Sequence, residues 1–162
     1  MVGIGMSVGD LTPIAELFRH LPPDTGMAFV VVPHVTSSTA RVGARVLTPT
    51  TSMPVVDVRK RTRLQPNHVY VAPPDTMITI AGGDVSPARR PRSGTSPIDA
   101  LFESLAHVRR HAAIGVVLSG SGSAGVRGLQ AIQQHGGITF ADDTPTADFA
   151  IEGNPASEWG FR

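Results

Sequence analysis

A serine and a histidine in this sequence have the residue types and the settings that nucleophilic chemistry requires. Ser7 lies in the glycine-rich stretch GMSVG of residues 5–9, directly after the short apolar run of residues 2–4. His34 follows the long apolar run MAFVVV of residues 27–32. A serine hydroxyl is a poor nucleophile by itself, and a neutral imidazole beside it makes it competent by taking its proton. The two residues are therefore a candidate nucleophile and its candidate base.

The GMSVG stretch also fits two simpler interpretations. A tight turn between a strand and a helix needs small residues, and a glycine turn before a helix can hold a nucleotide phosphate. A Rossmann-like nucleotide-binding module is the less favoured of the two, because His34 ends the strand where an acidic residue would meet the ribose. The residues alone leave these interpretations open.

Apolar periodicity predicts strands that alternate with helices. Leu11, Ile14 and Phe18 recur at helical spacing and predict a helix over residues 10–20. Residues 84–96 are rich in proline and arginine and predict an exposed loop. The other predictions are strands at 27–32, 53–56, 68–74, 77–80, 113–118 and 138–140, and helices that begin near 36, 97 and 124. The order is typical of an α/β fold with a doubly wound, mostly parallel open sheet and helices on both faces, a Rossmann-like three-layer architecture.

The carboxyl ends of parallel strands form the ligand crevice of such a sheet. Ser7 and His34 are therefore expected to meet there, although 27 positions separate them. The stretch SGSGSAG of residues 119–125 follows another predicted strand and reaches the same edge. Backbone N–H groups of the two glycine turns can stabilise an oxyanion. The candidates for that role and for lining the substrate loop are Val8, Gly9, Gly120, Ser121 and Gly122.

The composition indicates one folded domain over residues 1–162. Hydrophobic residues make up 41% of the chain, charged residues make up 17%, and the net charge of +1 gives no general reason to expect nucleic acid or a membrane as a partner. The absence of cysteine excludes disulfides, thiolate catalysis and cysteine-ligated metals. The sequence shows no signal peptide and no apolar run of about 18 residues. We expect a cytoplasmic domain without membrane insertion.

Several blocks in a fixed order give the chain a family resemblance over residues 1–149. It resembles the catalytic domain of the CheB family of chemotaxis protein-glutamate methylesterases, and most closely the form found in methylesterase–methyltransferase fusion proteins. The matching blocks are GIGMSVGD at 3–10, LPPDTGMAFVVVPHV at 21–35, MPVVDV at 53–58, LQPNHVYVAPP at 64–74, SPIDALFESLA at 96–106, AIGVVLSGSGSAGVRGLQAI at 113–132 and GGITF at 136–140.

The resemblance implies a hydrolase of γ-glutamyl methyl esters on the cytoplasmic helices of chemoreceptors, with glutamine deamidation as a second activity and no cofactor. It assigns the nucleophile to Ser7 and the base to His34, although Pro33 replaces the family glutamine before that histidine. The family aspartate that completes a Ser-His-Asp triad corresponds to Ala124.

The alanine at position 124 predicts an impaired esterase, because the third member of the triad orients the imidazole and stabilises its protonated form. Asp10, Asp142 and Asp143 are candidates to replace the missing carboxylate, and Asp10 has the simpler alternative role of capping the first helix. A second hypothesis is a pseudoenzyme that binds receptors in chemotaxis-like signalling without turnover.

The C-terminal part departs from the family pattern. Residues 147–162 match it poorly, and we expect no receiver domain and a shortened C-terminal end. A shortened end would expose a sheet edge, which pairing in a homo-oligomer would cover.

Six arginines leave two further interpretations open, an interaction with acidic receptor helices or simple exposure to solvent. They are Arg59, Arg61, Arg63, Arg89, Arg90 and Arg92.

Overall fold

The computed structural model describes residues 1–7, 11–34, 43–74, 76–89, 94–118 and 123–142. The strands in these ranges are β1 Val2–Ser7, β2 Ala28–His34, β3 Val55–Asp57, β4 Thr62–Arg63, β5 His68–Val71, β6 Met77–Ala81, β7 Asp84–Ala88, β8 Ile114–Leu118 and β9 Ile138–Ala141. The α-helices are α1 Thr12–His20, α2 Ala44–Leu47, α3 Pro97–Arg109 and α4 Val126–Gln134, and single 3₁₀ turns cover Thr48–Thr50 and Arg110–Ala112.

Six of the strands form one open parallel sheet in the order β3-β5-β2-β1-β8-β9. One face of the sheet packs against α1 through Ile14 and Phe18, and the opposite face packs against α3 and α4 through residues such as Phe102 and Ile132. The central strands are buried on both faces, which explains their uninterrupted apolar sequences. The predicted doubly wound α/β fold is confirmed.

The predicted elements agree with the structure along most of the chain. The helix expected over residues 10–20 is α1, and the strand expected over 27–32 is β2. The helix expected to begin near residue 36 falls mostly on residues 35–42, which lie outside the described part, and α2 follows that stretch. Residues 143–162, which include the poorly matching tail, also lie outside the described part.

The predicted loop over residues 84–96 is wrong in its first five residues. They form β7, which pairs with β6 and β4 in a separate antiparallel sheet of order β4-β7-β6. Gly82 and Gly83, with φ of 57° and 87°, make the two-residue hairpin turn between β6 and β7. Positive φ at both positions is what such a turn needs, so the Gly-Gly pair was the signal for the hairpin.

The small sheet is held at its exposed end by a shared carboxylate. Asp84 accepts hydrogen bonds from Nε of Arg61 at 2.6 Å and from Nη1 of Arg63 at 3.3 Å. Part of the basic stretch at 59–63 is therefore paired within the protein. The hydrogen bond from Arg61 is the largest effect and holds the pKa of Asp84 below its ordinary value. Burial opposes it, and the hydrogen bond from Arg63 adds to the lowering.

Strand β9 lies at one end of the main sheet among the described residues. Ile138 and Phe140 on this strand are 54% and 44% exposed, which is high for large apolar side chains. The shortened C-terminal end that was expected to uncover this edge falls on residues outside the described part, and it stays a prediction. A homo-oligomer remains a prediction.

We expect Gly128→Ala to destabilise the protein. A Cβ at position 128 would lie 2.4 Å from Cβ of Phe102, so α3 and α4 would have to move apart. Overpacking of this kind costs about 1–3 kcal/mol of the free energy of unfolding. Urea unfolding measures the change. Gln134→Ala, on an exposed position of α4, is the control and should change stability by less than about 0.5 kcal/mol. Equal stability of the two variants would contradict the close helix contact.

Asp84→Asn should destabilise the protein at neutral pH and have a smaller effect in acid. A carboxyl group whose pKa is lowered by folding stabilises the native state above its unfolded pKa, and that contribution is lost as the pH falls through its folded pKa. Thermal melts of both proteins from pH 7 down to pH 3 measure the difference. A difference that stays constant over this range would contradict the pairing of Asp84 with the two arginines.

Candidate functional site

The register of the two central strands places Ser7 beside His34. β1 and β2 pair in parallel from Val2 opposite Phe29 to Ser7 opposite His34, so both strands end at the same level. Adjacent strands lie about 4.8 Å apart, which brings the two backbones within reach of a side-chain hydrogen bond. The sequence-based expectation that these positions meet at the carboxyl edge is met for the backbone of Ser7 and for His34. The side chain of Ser7 lies outside the described part.

The structure explains how a central strand accommodates Pro33. A proline lacks the N–H that a strand interior normally donates to a neighbour. Strand β5 pairs with β2 only as far as Val31, whose carbonyl accepts a hydrogen bond from the Ala72 N–H. Backbone groups alternate in direction along a strand, so position 33 points toward the β5 side beyond the last paired residue. The N–H that another residue would offer at position 33 would face this side, so the proline removes a potential donor only where the pairing of β2 with β5 has ended.

A cleft of about 400 Å³ lies beside the imidazole of His34. Its walls come from the end of β2, from the start of α3 and from the turn before α4. The lining residues are His34, Gly94, Ser96, Asp99, Ser123, Ala124, Val126 and Arg127. The cleft thus gathers residues from three separate parts of the chain at the carboxyl edge of the sheet.

Ala124 lies in the wall of this cleft, as the motif comparison predicts. Its side chain is partly buried against the core between the sheet, α3 and α4. A methyl group neither accepts a hydrogen bond from an imidazole nor stabilises its positive charge. The Ala124 side chain therefore supplies packing to the cleft wall.

Asp99 is a carboxylate in the same cleft that the sequence-based search missed. It is 5% exposed, accepts the Gly128 N–H at 2.8 Å through Oδ1 and accepts the Ser96 hydroxyl at 2.6 Å through Oδ2. Ser96 in turn caps α3 by accepting the Asp99 N–H at 3.1 Å. A serine three residues before an acidic residue, ahead of an apolar stripe, is the signature of a capping box and could have marked this residue. Asp99 therefore joins the starts of α3 and α4 in the wall of the His34 cleft.

Asp142 lies at a different part of the molecule from His34. It follows β9, and its N–H donates to the carbonyl of Val117. β9 is three strands from β2 in the sheet, which corresponds to about 14 Å. Asp142 instead lines an apolar groove with residues such as Phe140 and Leu17. This separation weighs against Asp142 as the carboxylate that orients His34.

The remaining candidate site residues lie outside the described part of the chain. They are Val8, Gly9, Asp10, Gly120, Ser121, Gly122 and Asp143. Their roles stay predictions. Within the described ranges, no group of three or more histidine and acidic side chains is placed to hold a metal ion, and no helix has the length and apolar character to cross a membrane.

Comparison with known proteins decides the family. The sequence model of the CheB methylesterase family matches residues 2–158. The chain belongs to this family. The Thermotoga maritima CheB methylesterase catalytic domain is similar in structure, with a TM-score of 0.76 and 25% identity, and the match covers 91% of this chain and 81% of that domain.

Two curated relatives are considerably longer than this chain. The protein-glutamate methylesterase/protein-glutamine glutaminase 4 of Burkholderia thailandensis is 34% identical, over 96% of this chain and 46% of its own length. The protein of the same activity name from Maricaulis maris is 30% identical, over 91% of this chain and 38% of its own length. The chain thus spans less than half the length of these two CheB relatives.

Asp99→Asn should lower the free energy of unfolding by about 1–3 kcal/mol. Both carboxylate oxygens of Asp99 accept a buried hydrogen bond, whereas the amide of asparagine has only one oxygen and carries no charge. Chemical denaturation monitored by circular dichroism tests this. Asp24→Asn, at an exposed turn position, is the matched control and should be neutral within about 0.5 kcal/mol. An equal effect of the two substitutions would mean that the Asp99 carboxylate does not join the two helices.

Proposed function

We propose that this chain is a CheB-type protein-glutamate methylesterase that uses Ser7 and His34 and is slowed by the alanine at position 124. The register that places Ser7 opposite His34 at the carboxyl edge of the sheet is the observation that supports this proposal most directly. The cleft beside His34 supplies room for a glutamyl side chain and its ester. The activity names of the relatives supply the substrate class.

In the proposed reaction, the Ser7 hydroxyl attacks the γ-carbonyl carbon of a glutamyl methyl ester while His34 takes its proton. The tetrahedral intermediate collapses, the C–O bond to the methoxy group breaks, and His34 returns the proton so that methanol leaves. A water molecule, deprotonated by His34, then attacks the acyl-enzyme and releases glutamate and Ser7. With a glutamine substrate the same steps release ammonia.

The N–H groups of the two glycine turns are the proposed donors to the oxyanion. Such donors, aimed at the position where charge develops, lower the barrier more than a ground-state contact does. The residues proposed for this role are Val8, Gly9, Gly120, Ser121 and Gly122. The proposed partners are methylated chemoreceptor helices, and the proposed location is the cytoplasm.

The alanine at position 124 is compatible with two outcomes, slow turnover or no turnover. Loss of the aspartate of a serine protease triad lowers turnover by about 10⁴-fold, and activity from the rest of the site survives. The chain therefore retains the means for slow hydrolysis. The alternative that Ala124 itself favours is a pseudoenzyme that binds a methylated receptor helix without releasing methanol.

We expect methanol release from a methylated chemoreceptor fragment to be slow with the chain as it is and at least about 100-fold faster with Ala124→Asp. The restored carboxylate would orient His34 and stabilise its protonated form. Methanol coupled to alcohol oxidase measures both rates. Ser7→Ala is the control in both backgrounds and should abolish turnover.

Three outcomes separate the hypotheses. Slow turnover that Ala124→Asp accelerates and Ser7→Ala abolishes supports the proposal. No turnover by the parent chain, but turnover by Ala124→Asp, supports the pseudoenzyme. No turnover by either protein, or turnover that survives Ser7→Ala, would contradict a Ser7-dependent esterase.

A further inference from the structure

A second cleft lies at the same edge of the sheet as His34 and is lined by arginines. It has a volume of about 370 Å³ and lies at the ends of β3 and β5, against α2. Its lining residues are Gly43, Ala44, Arg45, Val46, Asp57, Arg59, Pro73 and Pro74. None of the chemistry proposed for Ser7 uses this cleft.

The sheet order makes this cleft a neighbour of the His34 cleft. β5 pairs directly with β2, so Pro73 and Pro74, which follow β5, lie about one strand spacing from the strand that ends in His34. Asp57 ends β3, one strand further along the same edge. A ligand longer than one side chain that reaches His34 can therefore extend over this cleft.

Basic residues are concentrated in residues 43–64, the segment that supplies most of the lining of the second cleft, and two of them, Arg45 and Arg59, line it. Residues 43–64 contain five of the 14 Lys and Arg residues of the chain but only one of its 13 Asp and Glu residues. These are Arg45, Arg59, Lys60, Arg61 and Arg63, with Asp57 as the acidic residue. Because the whole chain has a net charge of +1, the remainder of the molecule carries a net negative charge and this region is distinctly basic.

The arginines of this region differ in how far their charges are compensated. Asp84 pairs with Arg61 and Arg63 on the small sheet. Arg59 has only a distant partner, because its Nη2 lies 3.7 Å from Oδ2 of Asp57 while Oδ1 accepts the Ala44 N–H at 2.8 Å. Arg45 is exposed and has no carboxylate at ion-pair distance among the described residues. Arg45 and Arg59 are therefore the charges with most capacity for an external anion.

The remaining wall of the cleft is apolar. Val46 is 37% exposed, and Pro73 and Pro74 lie opposite it in the lining. A surface with an apolar wall and two poorly compensated guanidinium groups complements a segment that carries carboxylates beside apolar side chains. A free inorganic anion would make no use of the apolar part.

We infer that the cleft formed by Arg45 and Arg59 binds carboxylate side chains of an acidic α-helix whose esterified glutamate lies at His34. This inference rests on the proposed function. A helix rises about 5.4 Å per turn, close to one strand spacing, so carboxylates one or two turns from the ester reach the second cleft when the helix lies along the sheet edge. The cleft would select esters in an acidic helical setting.

Binding is tested with a fluorescent helical peptide that carries one γ-methyl glutamate flanked by glutamates. A matched peptide has glutamine at the flanking positions. The receiving protein is the full chain with Ser7→Ala, which prevents turnover during the measurement. The test variant adds Arg45→Glu and Arg59→Glu. The control variant adds Arg19→Glu and Arg109→Glu, which change the net charge equally in the last turns of α1 and α3 at the opposite edge of the sheet.

Fluorescence anisotropy should show that the acidic peptide binds the Arg45→Glu/Arg59→Glu protein at least about tenfold more weakly than the parent. Its affinity for the control variant should differ from that for the parent by less than about threefold. The glutamine peptide should bind the parent weakly and should not distinguish the two variants. In proteins that retain Ser7, Arg45→Glu with Arg59→Glu should raise KM for the acidic peptide and leave kcat unchanged. Circular dichroism should show the same melting temperature for both variants.

Specified outcomes would overturn the inference. They are equal binding of the acidic peptide by parent and test variant, an equal loss in the control variant, or equal affinity for the acidic and glutamine peptides. Absence of peptide binding by the parent would also overturn it. Selective binding without methanol release, even with Ala124→Asp, would support the acidic-helix cleft and contradict the esterase. Methanol release without a difference in binding between the parent and the test variant would support the esterase and contradict the acidic-helix cleft.

Discussion

The parallel pairing of β1 with β2 is the constraint on which the site depends. Gly3 and Gly5 of β1 lie against α3, where an added Cβ would come within 3.0 Å of Leu105 and 2.5 Å of Ile98, so a one-residue shift of β1 would drive larger side chains into that space. Because the register is held in this way, the residues that end the two strands, Ser7 and His34, are held at one level. The positions of the two proposed catalytic residues therefore depend on core packing along β1 and β2, away from the site itself.

The second support of the site comes from α3 and α4. Gly128 allows the two helices to approach closely, and its N–H is the donor that the buried Asp99 carboxylate accepts. This contact lies in the wall of the His34 cleft, next to Ala124. In a CheB domain with aspartate at position 124, the same wall would carry a carboxylate for the imidazole. Here position 124 carries a methyl group, and the wall around it is built by the same contacts between α3 and α4.

Arginine side chains are distributed unevenly over the molecule, and two of them lie at the carboxyl edge of the sheet near His34. A net charge of +1 gave no general reason to expect nucleic acid or a membrane as a partner, and the arginines fitted acidic receptor helices and exposure to solvent equally well. The structure separates them, since Asp84 pairs with Arg61 and Arg63 on the small sheet while Arg45 and Arg59 line a cleft next to that of His34. An overall net charge therefore conceals a local distribution that is suited to an acidic ligand.

The sequence by itself determined the fold class, the family, and the meeting of positions 7 and 34, because these follow from apolar periodicity, strand ends and motif order. It did not reveal β7, since the prolines and arginines of residues 84–96 masked a hairpin that Gly82 and Gly83 encode. It did not reveal Asp99 as a cleft residue, because a capping residue acquires a second partner only when another helix packs on it.

Only the tertiary structure decided which carboxylates are near His34. Among the described residues, the packing of α3 against α4 places Asp99 in the His34 cleft, and the order of the strands places Asp142 three strands away. Strand order is set by long-range packing, which local sequence patterns do not contain.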